Sequence, residues 1–277
     1  MSMIRRDFIL AAAGISISTL FSSVSVGQDD FQVVEPDFSE GPPAEFPEGI
    51  RVPTAEEYDK QLEALTGAQN PYKPEIELGR TLIKEDPVLQ SRNKSPFEIA
   101  DRFREWRQGL VGDSGERKRQ YSYYAREWPV RGNPIIMGFF DATGYRTPAG
   151  DTTWWCSAFV CACVQRSLES KGIRSREWPY ASGAASSSYR QWGKDVITDL
   201  NSEPRKGDLA VFQNTRTSYQ GHVGFVHSVV GNQIMVLGGN QGAQNEYNGG
   251  EVNIAPFDLV GSGRLRFLSF RRHDSLS

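Results

Sequence analysis

The run Trp154-Trp155-Cys156-Ser157-Ala158-Phe159-Val160-Cys161-Ala162-Cys163-Val164 carries no charge, no Gly and no Pro, and its apolar side chains fall on every side. Such a stretch fits a helix buried all round, not an amphipathic surface helix. It runs on to Leu168 and meets Lys171 and Gly172 as stop signals, so the helix is expected to begin near Cys156. A loop rich in Gly, Pro and Thr leads into it, which sets Cys156 at the helix mouth. Unpaired N–H groups and the dipole at a helix start lower a thiol below its ordinary pKa of ~8.5. The same N–H groups suit the oxyanion of a tetrahedral intermediate.

Cys156, Cys161 and Cys163 are the only cysteines in 277 residues. An odd, crowded set in a long chain excludes a disulfide-stapled scaffold. Cys161 and Cys163 lie two residues apart on the expected helix, where side chains diverge by ~200° and cannot form an unstrained disulfide. They read as buried small hydrophobes. The Cys-x4-Cys-x-Cys spacing is not that of a zinc site and only three histidines exist, so no metal and no cofactor are expected.

After the helix the texture changes to strands: Lys206 to Phe212, Gly221 to Val230, Gln233 to Leu237 after a Gly231-Asn232 turn, Val252 to Ile254, and Arg264 to Phe270. A short helix from Ile135 to Thr143 precedes the nucleophile helix. A helix followed by an antiparallel sheet makes an α+β domain. On the second strand His222, Gly224 and Val226 share one face, and Val223, Phe225 and His227 the other. His222 opens the strand with only Gly224 beside it, which leaves room for a substrate and makes it the candidate base for Cys156. His227 reads as a satisfied or exposed histidine, and His273 in the polar tail as inert. Asp208, after Gly207, reads as a turn former at a strand entrance.

A base of this kind needs a third group to hold its tautomer. Asn240 and Gln241 on the next strand are the candidates. A two-residue Gly231-Asn232 turn sets His222 opposite Gln241, whereas a longer loop or a bulge near the glycines brings Asn240 to that face. Spacing alone leaves both open. Trp154 and Trp155, and Trp192 beyond them, are candidate cleft walls.

Taken together, Trp155-Cys156-Ser157-Ala158-Phe159-Val160, Gly207-Asp208, Gly221-His222-Val223-Gly224-Phe225-Val226 and Leu237-Gly238-Gly239-Asn240-Gln241 resemble the CHAP and NlpC/P60 superfamily of cysteine peptidases and amidases. The resemblance covers about residues 133–271. It implies a papain-like α+β fold, a Cys-His-polar triad of Cys156, His222 and Asn240, and peptidoglycan stem or cross-bridge peptides as substrate. Trp154 and Trp155 would contact that substrate. One departure stands out: many CHAP domains have an acidic residue two positions before the Asn, where this chain has Gly238.

Outside that region the chain divides by composition. Residues 1–27 combine Arg5-Arg6, followed by Asp7-Phe8-Ile9-Leu10, with a mildly apolar run broken by Gly14 and several serines. This reads as an export signal of twin-arginine type, too weak for a spanning helix of ~20 apolar residues and with no cysteine for a lipid anchor. The expected location is therefore the periplasm or the exterior, with no stable membrane anchor after cleavage. Residues 28–53 form an acidic, Pro-rich linker. Residues 54–120 read as a helical accessory region of unknown role, with one helix from Thr54 to about Leu65 and another opened by Ser95-Pro96-Phe97-Glu98. The catalytic domain is expected over 121–272. With 31 Lys+Arg against 34 Asp+Glu, the formal charge of -3 offers no global attraction to nucleic acid. The reading is a peptidoglycan amide hydrolase. Its alternatives are an acyltransferase using the same acyl-enzyme, or a non-catalytic wall-binding domain.

Overall fold

The computed structural model describes residues 73–128, 132–144, 151, 154–173, 184–216, 220–242, 250–260 and 264–277. The expected signal, linker and first helix at Thr54 lie outside these residues. Among the described residues six α-helices come first: α1 (Lys73–Glu85), α2 (Pro87–Gln90), α3 (Pro96–Arg107), α4 (Gly115–Tyr124), α5 (Pro134–Phe139) and α6 (Cys156–Ser170). Six strands follow: β1 (Lys194–Asp195), β2 (Leu209–Asn214), β3 (Gly221–Val230), β4 (Gln233–Gly242), β5 (Gly250–Asp258) and β6 (Leu265–Arg272). They form one antiparallel sheet in the order β1-β6-β2-β3-β4-β5. The α+β class expected from sequence is what is observed.

Helix starts obey local chemistry. Ser95 and Glu98 close a reciprocal capping box ahead of α3, with Pro96 at the first helical position. Asn133 caps α5 through its side-chain oxygen. Asp86 accepts from the N–H groups of Val88 and Leu89, and also from Arg102 Nε at 2.8 Å and Trp106 Nε1 at 2.6 Å. One buried carboxylate thereby joins α2 to α3.

The sheet has two different faces because side chains alternate along a strand. Leu209, Val211, Val223, Phe225, Leu237 and Val252 belong to a large core shared with the helices. Ala210, Phe212, Val226, Ile234, Val236 and Phe270 form a second cluster on the opposite face. Helix α6 is the centre of the first core: from Cys156 to Val164 every residue is buried, as its all-round apolar pattern requires.

The helical region does not stand apart as an accessory. Phe97 of α3 meets Phe225 of β3 edge-on at 6.3 Å, and Phe103 packs on Phe139 at 5.3 Å and Phe159 at 6.0 Å. Tyr124 of α4 is fully buried in the same cluster. The boundary expected at residue 120 therefore cuts through one continuous core. The apolar stripe of Phe97, Ala100, Phe103 and Trp106 is the reason: it needs a partner, and α6 with the sheet supplies it. Helices α1 and α4 were not expected. In α4 the sequence Gly115-Glu116-Arg117-Lys118-Arg119-Gln120 is nearly all polar, and only the terminal Tyr121, Tyr123 and Tyr124 are buried.

Two bulges set the register next to β3. The turn at Gly231-Asn232 has two residues, and Val230 pairs with Gln233 as that turn dictates. Between Val226 and Ser228 the register slips by one, with His227 as the extra residue. Between Gly238 and Gln241 a second slip occurs, this time in β4 against β5. Asn240 takes the extra position with φ +56°, a left-handed conformation that Asn tolerates better than most side chains.

Candidate active site

Cys156 is the first residue of α6, and Trp155 occupies the cap position without a side-chain cap bond. The thiol is 5% exposed. Burial pushes it up to about 11, against the opposing pull of the backbone N–H groups of Val223, Ser157 and Cys156 itself. The stabilisation expected at a helix start is thus present, and desolvation outweighs it. Val223 is the residue that follows His222 on β3, but the His222 ring lies with the second cluster, against Phe212 and Phe257, whereas Cys156 belongs to the core on the other face of the sheet.

His222 is buried beside Gln241. Burial pushes its imidazole down to about 4, with the Gln241 hydrogen bond pulling the other way. The ring stacks on Phe257 at 5.1 Å with an interplanar angle of 12°, and tilts against Phe212 at 6.2 Å. Its Nε2 lies 3.0 Å from Gln241 Oε1. A carboxamide oxygen is only an acceptor, so Nε2 carries the proton and Nδ1 is left with the lone pair. That is the tautomer a base requires.

The hydrogen bond to His222 that the resemblance gave to Asn240 is made by Gln241. The cause is the pair of bulges. The slip at His227 shifts the β3–β4 register by one residue, and the second slip, in β4 against β5, falls where Asn240 turns left-handed, so that the side chain that reaches the ring is that of Gln241. Gly238 completes the arrangement: a Cβ there would stand 2.9 Å from Gln241 Oε1 and 3.3 Å from His222 Nε2. The Gln241 carboxamide fills the space in which a side chain at 238 would begin.

Trp155 does not wall a cleft. Its ring has no exposure, packs on Phe139 at 5.9 Å and Phe159 at 6.2 Å, and donates Nε1 to Glu127 Oε1 at 2.9 Å. It is a core residue, packed among Phe139 and Phe159, and its buried N–H needs an acceptor. Trp154 is half-buried. Trp192 stacks on His273 at 4.5 Å, and His273 caps the last short helix. His227 lies on the Phe97 side, away from His222. Cys161 and Cys163 are buried without exposure; burial pushes Cys161 up to about 12 and Cys163 well above the ordinary thiol.

Two residues at the site escaped the sequence reading. Phe257 lies beyond the short strand expected at 252–254, and no local signal ties it to His222. Glu127 is a buried carboxyl whose partners are 28 and 123 residues away. Among the described residues no cluster of His, Cys, Asp and Glu has the makings of a metal site, and no helix is long and apolar enough to cross a membrane.

Residues 147–240 match the family model of the CHAP domain. No curated protein and no solved structure matches the chain.

Proposed function

From a chain that carries a CHAP domain over residues 147–240, we propose an exported cysteine hydrolase that cleaves amide bonds in peptidoglycan stem or cross-bridge peptides. CHAP domains are amidases and peptidases of peptidoglycan-related substrates. The reading is supported by the CHAP match over the stretch that holds both Cys156 and His222, together with a helix that begins with Cys156 and an imidazole oriented by Gln241 at 3.0 Å.

Cys156 and His222 rest as neutral thiol and neutral imidazole, so proton transfer accompanies attack. Cys156 Sγ adds to the amide carbonyl while its proton passes to His222 Nδ1. The first N–H groups of α6, which a helix cannot satisfy internally, take the oxyanion. His222 returns the proton to the leaving amine, and a thioester on Cys156 remains. Water then attacks the thioester with His222 again as base, releasing the carboxylate and restoring the thiol. Gln241 holds the imidazole through both halves. Delivery to an amine in place of water would make the same site an acyltransferase.

The test is incubation of the purified full chain and its Cys156→Ala variant with muropeptides, followed by mass spectrometry of the products. Fragments one water heavier in sum than the substrate, from the wild type only, are expected. No fragment from the wild type, with tight sacculus binding by both proteins, overturns the enzyme reading. Amine adducts in place of free carboxylate select transfer. The export expectation is checked by the N-terminus of protein recovered outside the cytoplasm: a start within or just after residues 23–28 supports it, and an intact Met1 on cytoplasmic protein overturns it.

A further inference from the structure

Gln241 is not the end of the hydrogen-bonded chain that begins at His222. Its Nε2 donates to Asn253 Oδ1 at 2.7 Å, to the Asn253 carbonyl at 2.8 Å and to the Val236 carbonyl at 3.2 Å. Asn253 Nδ2 in turn donates to Glu251 Oε1 at 2.9 Å. The other oxygen of Glu251 accepts from Arg107 Nε, and Arg107 Nη1 donates to Ser122 Oγ at 3.1 Å. Glu251 and Arg107 side chains are 13% and 21% exposed, so the ion pair is shielded from water. Arg107 ends α3 and Ser122 lies on α4; β5 is the edge strand, which is how a helical side chain reaches Glu251.

We propose that Arg107, Glu251 and Asn253 form a positioning relay that fixes the Gln241 carboxamide, and through it the protonated nitrogen of His222. The inference rests on His222 serving as the base. Its logic is directional. A guanidinium only donates and a carboxylate only accepts, so the Arg107–Glu251 pair leaves Glu251 Oε1 as an acceptor. That acceptor obliges Asn253 to present Nδ2 to it and Oδ1 to Gln241. Gln241 then presents Nε2 to Asn253 Oδ1, in the same sense as its bonds to the Asn253 and Val236 carbonyls, and Oε1 to the imidazole. Polarity set by an ion pair on the helical region, and reinforced at Gln241 by two backbone carbonyls, is handed through two amides to one ring nitrogen. Partly buried networks of this kind act as a unit, because each misdirected group leaves another unsatisfied. All the relay residues, and Gln241 itself, lie outside residues 147–240, so the helical region is part of the catalytic unit.

The experiment inverts the relay and then restores it. Asn253→Asp sets a carboxylate against Glu251; Glu251→Gln keeps an oxygen for Arg107 but turns an amide nitrogen on Asn253, which can accept from it only by flipping its own nitrogen against Gln241 Nε2. Together, Asn253→Asp and Glu251→Gln match every donor with an acceptor again, since the new amide accepts from Arg107 and donates to the new carboxylate, which still accepts from Gln241. In the full chain, each single variant is expected to lower kcat on muropeptides roughly 10- to 100-fold with KM little changed, and the double variant to recover to within about threefold. Imidazole 15N shifts read the relay without turnover: His222 is expected as the Nε2–H tautomer in the wild type and the double variant, and as a mixture in both singles. Folded singles with wild-type kcat and an unmixed tautomer overturn the relay, as does a double variant no better than the worse single. If the wild type cleaves no peptide, the hydrolase reading fails, while the tautomer series still decides the relay.

Discussion

Trp155 donates its indole Nε1 to the Glu127 carboxyl across 2.9 Å, and the residue after Trp155 is the candidate nucleophile. The same carboxyl accepts the Gly250 N–H at 3.1 Å, and Glu127 N–H donates to the Gly250 carbonyl at 2.7 Å. One buried acid therefore ties the start of α6 to the start of β5. Burial, and then the charge of Asp151, hold it up at about 8.

That raised value makes stability depend on pH in a defined direction. A carboxyl that holds its proton more tightly when folded contributes most at low pH and loses that contribution as pH climbs from about 4.5 to about 8, on the order of 5 kcal/mol in all. Glu127→Gln is neutral throughout and should flatten this part of the profile. Thermal unfolding of both proteins between pH 5 and 9 checks it: the variant gains on the wild type as pH rises. Parallel curves would sink the assignment.

His222 works in the opposite direction. Its imidazole, held near 4 by burial, favours folding above its ordinary value of about 6.5, and about 3 kcal/mol is lost as pH falls from 6.5 to 4. The acid limb of kcat/KM should follow the folded value and lie well below pH 6. Phe257→Ala uncovers the ring that stacks at 5.1 Å and should move that limb up toward 6.5. A limb that does not move between the two proteins removes Phe257 from the account.

For Cys156, a neutral thiol held near 11 predicts that alkylation by iodoacetamide accelerates continuously through pH 8 to 10. A resting thiolate–imidazolium pair would instead give a rate plateau beginning near pH 5. Peptide mapping separates Cys156 from Cys161 and Cys163, which have no exposure and should react only on unfolding. A low-pH plateau at Cys156 would refute the neutral pair.

The two glycines before Asn240 should respond differently to one added methyl. On Gly239 a Cβ would collide with the Trp155 and Phe159 rings, and Gly239→Ala is expected to cost about 1 to 3 kcal/mol of stability as an overpacked core does. On Gly238 it would crowd Gln241 Oε1 and His222 Nε2, so Gly238→Ala should lower kcat roughly tenfold with a smaller change in melting temperature. Unfolding curves and steady-state kinetics on both variants distinguish the two effects.

What could be read in advance followed from local rules. The uncharged run after Trp154 could only be a buried helix, and the Ser95–Glu98 pair could only begin one. The alternation around His222 separated it from His227. What escaped depended on distant partners. No pattern in Gly115-Glu116-Arg117-Lys118-Arg119-Gln120 announces α4, because its contribution to the core is three tyrosines at one end. Trp155 looked like a cleft wall because an aromatic beside a nucleophile reads the same from sequence whether its partner is substrate or Glu127. The choice between Asn240 and Gln241 required two bulges, each of one residue, and a period of two turns every such slip into a change of face.

The bulges also set a lower limit on what can be excised from this chain. A fragment cut at residues 147 and 240 keeps Cys156 and His222 but stops one residue before Gln241. It also loses β5, with Asn253 and the Glu251 carboxylate, and α3, whose Arg107 and Phe97 reach the sheet from the other end of the sequence. The shortest piece that keeps Phe97, Arg107, Gln241, Asn253 and Phe257 with His222 accordingly spans at least residues 96–257, and a protease that nicks the chain between α4 and α5 would leave that piece held together by its core and by the Arg107–Glu251 ion pair.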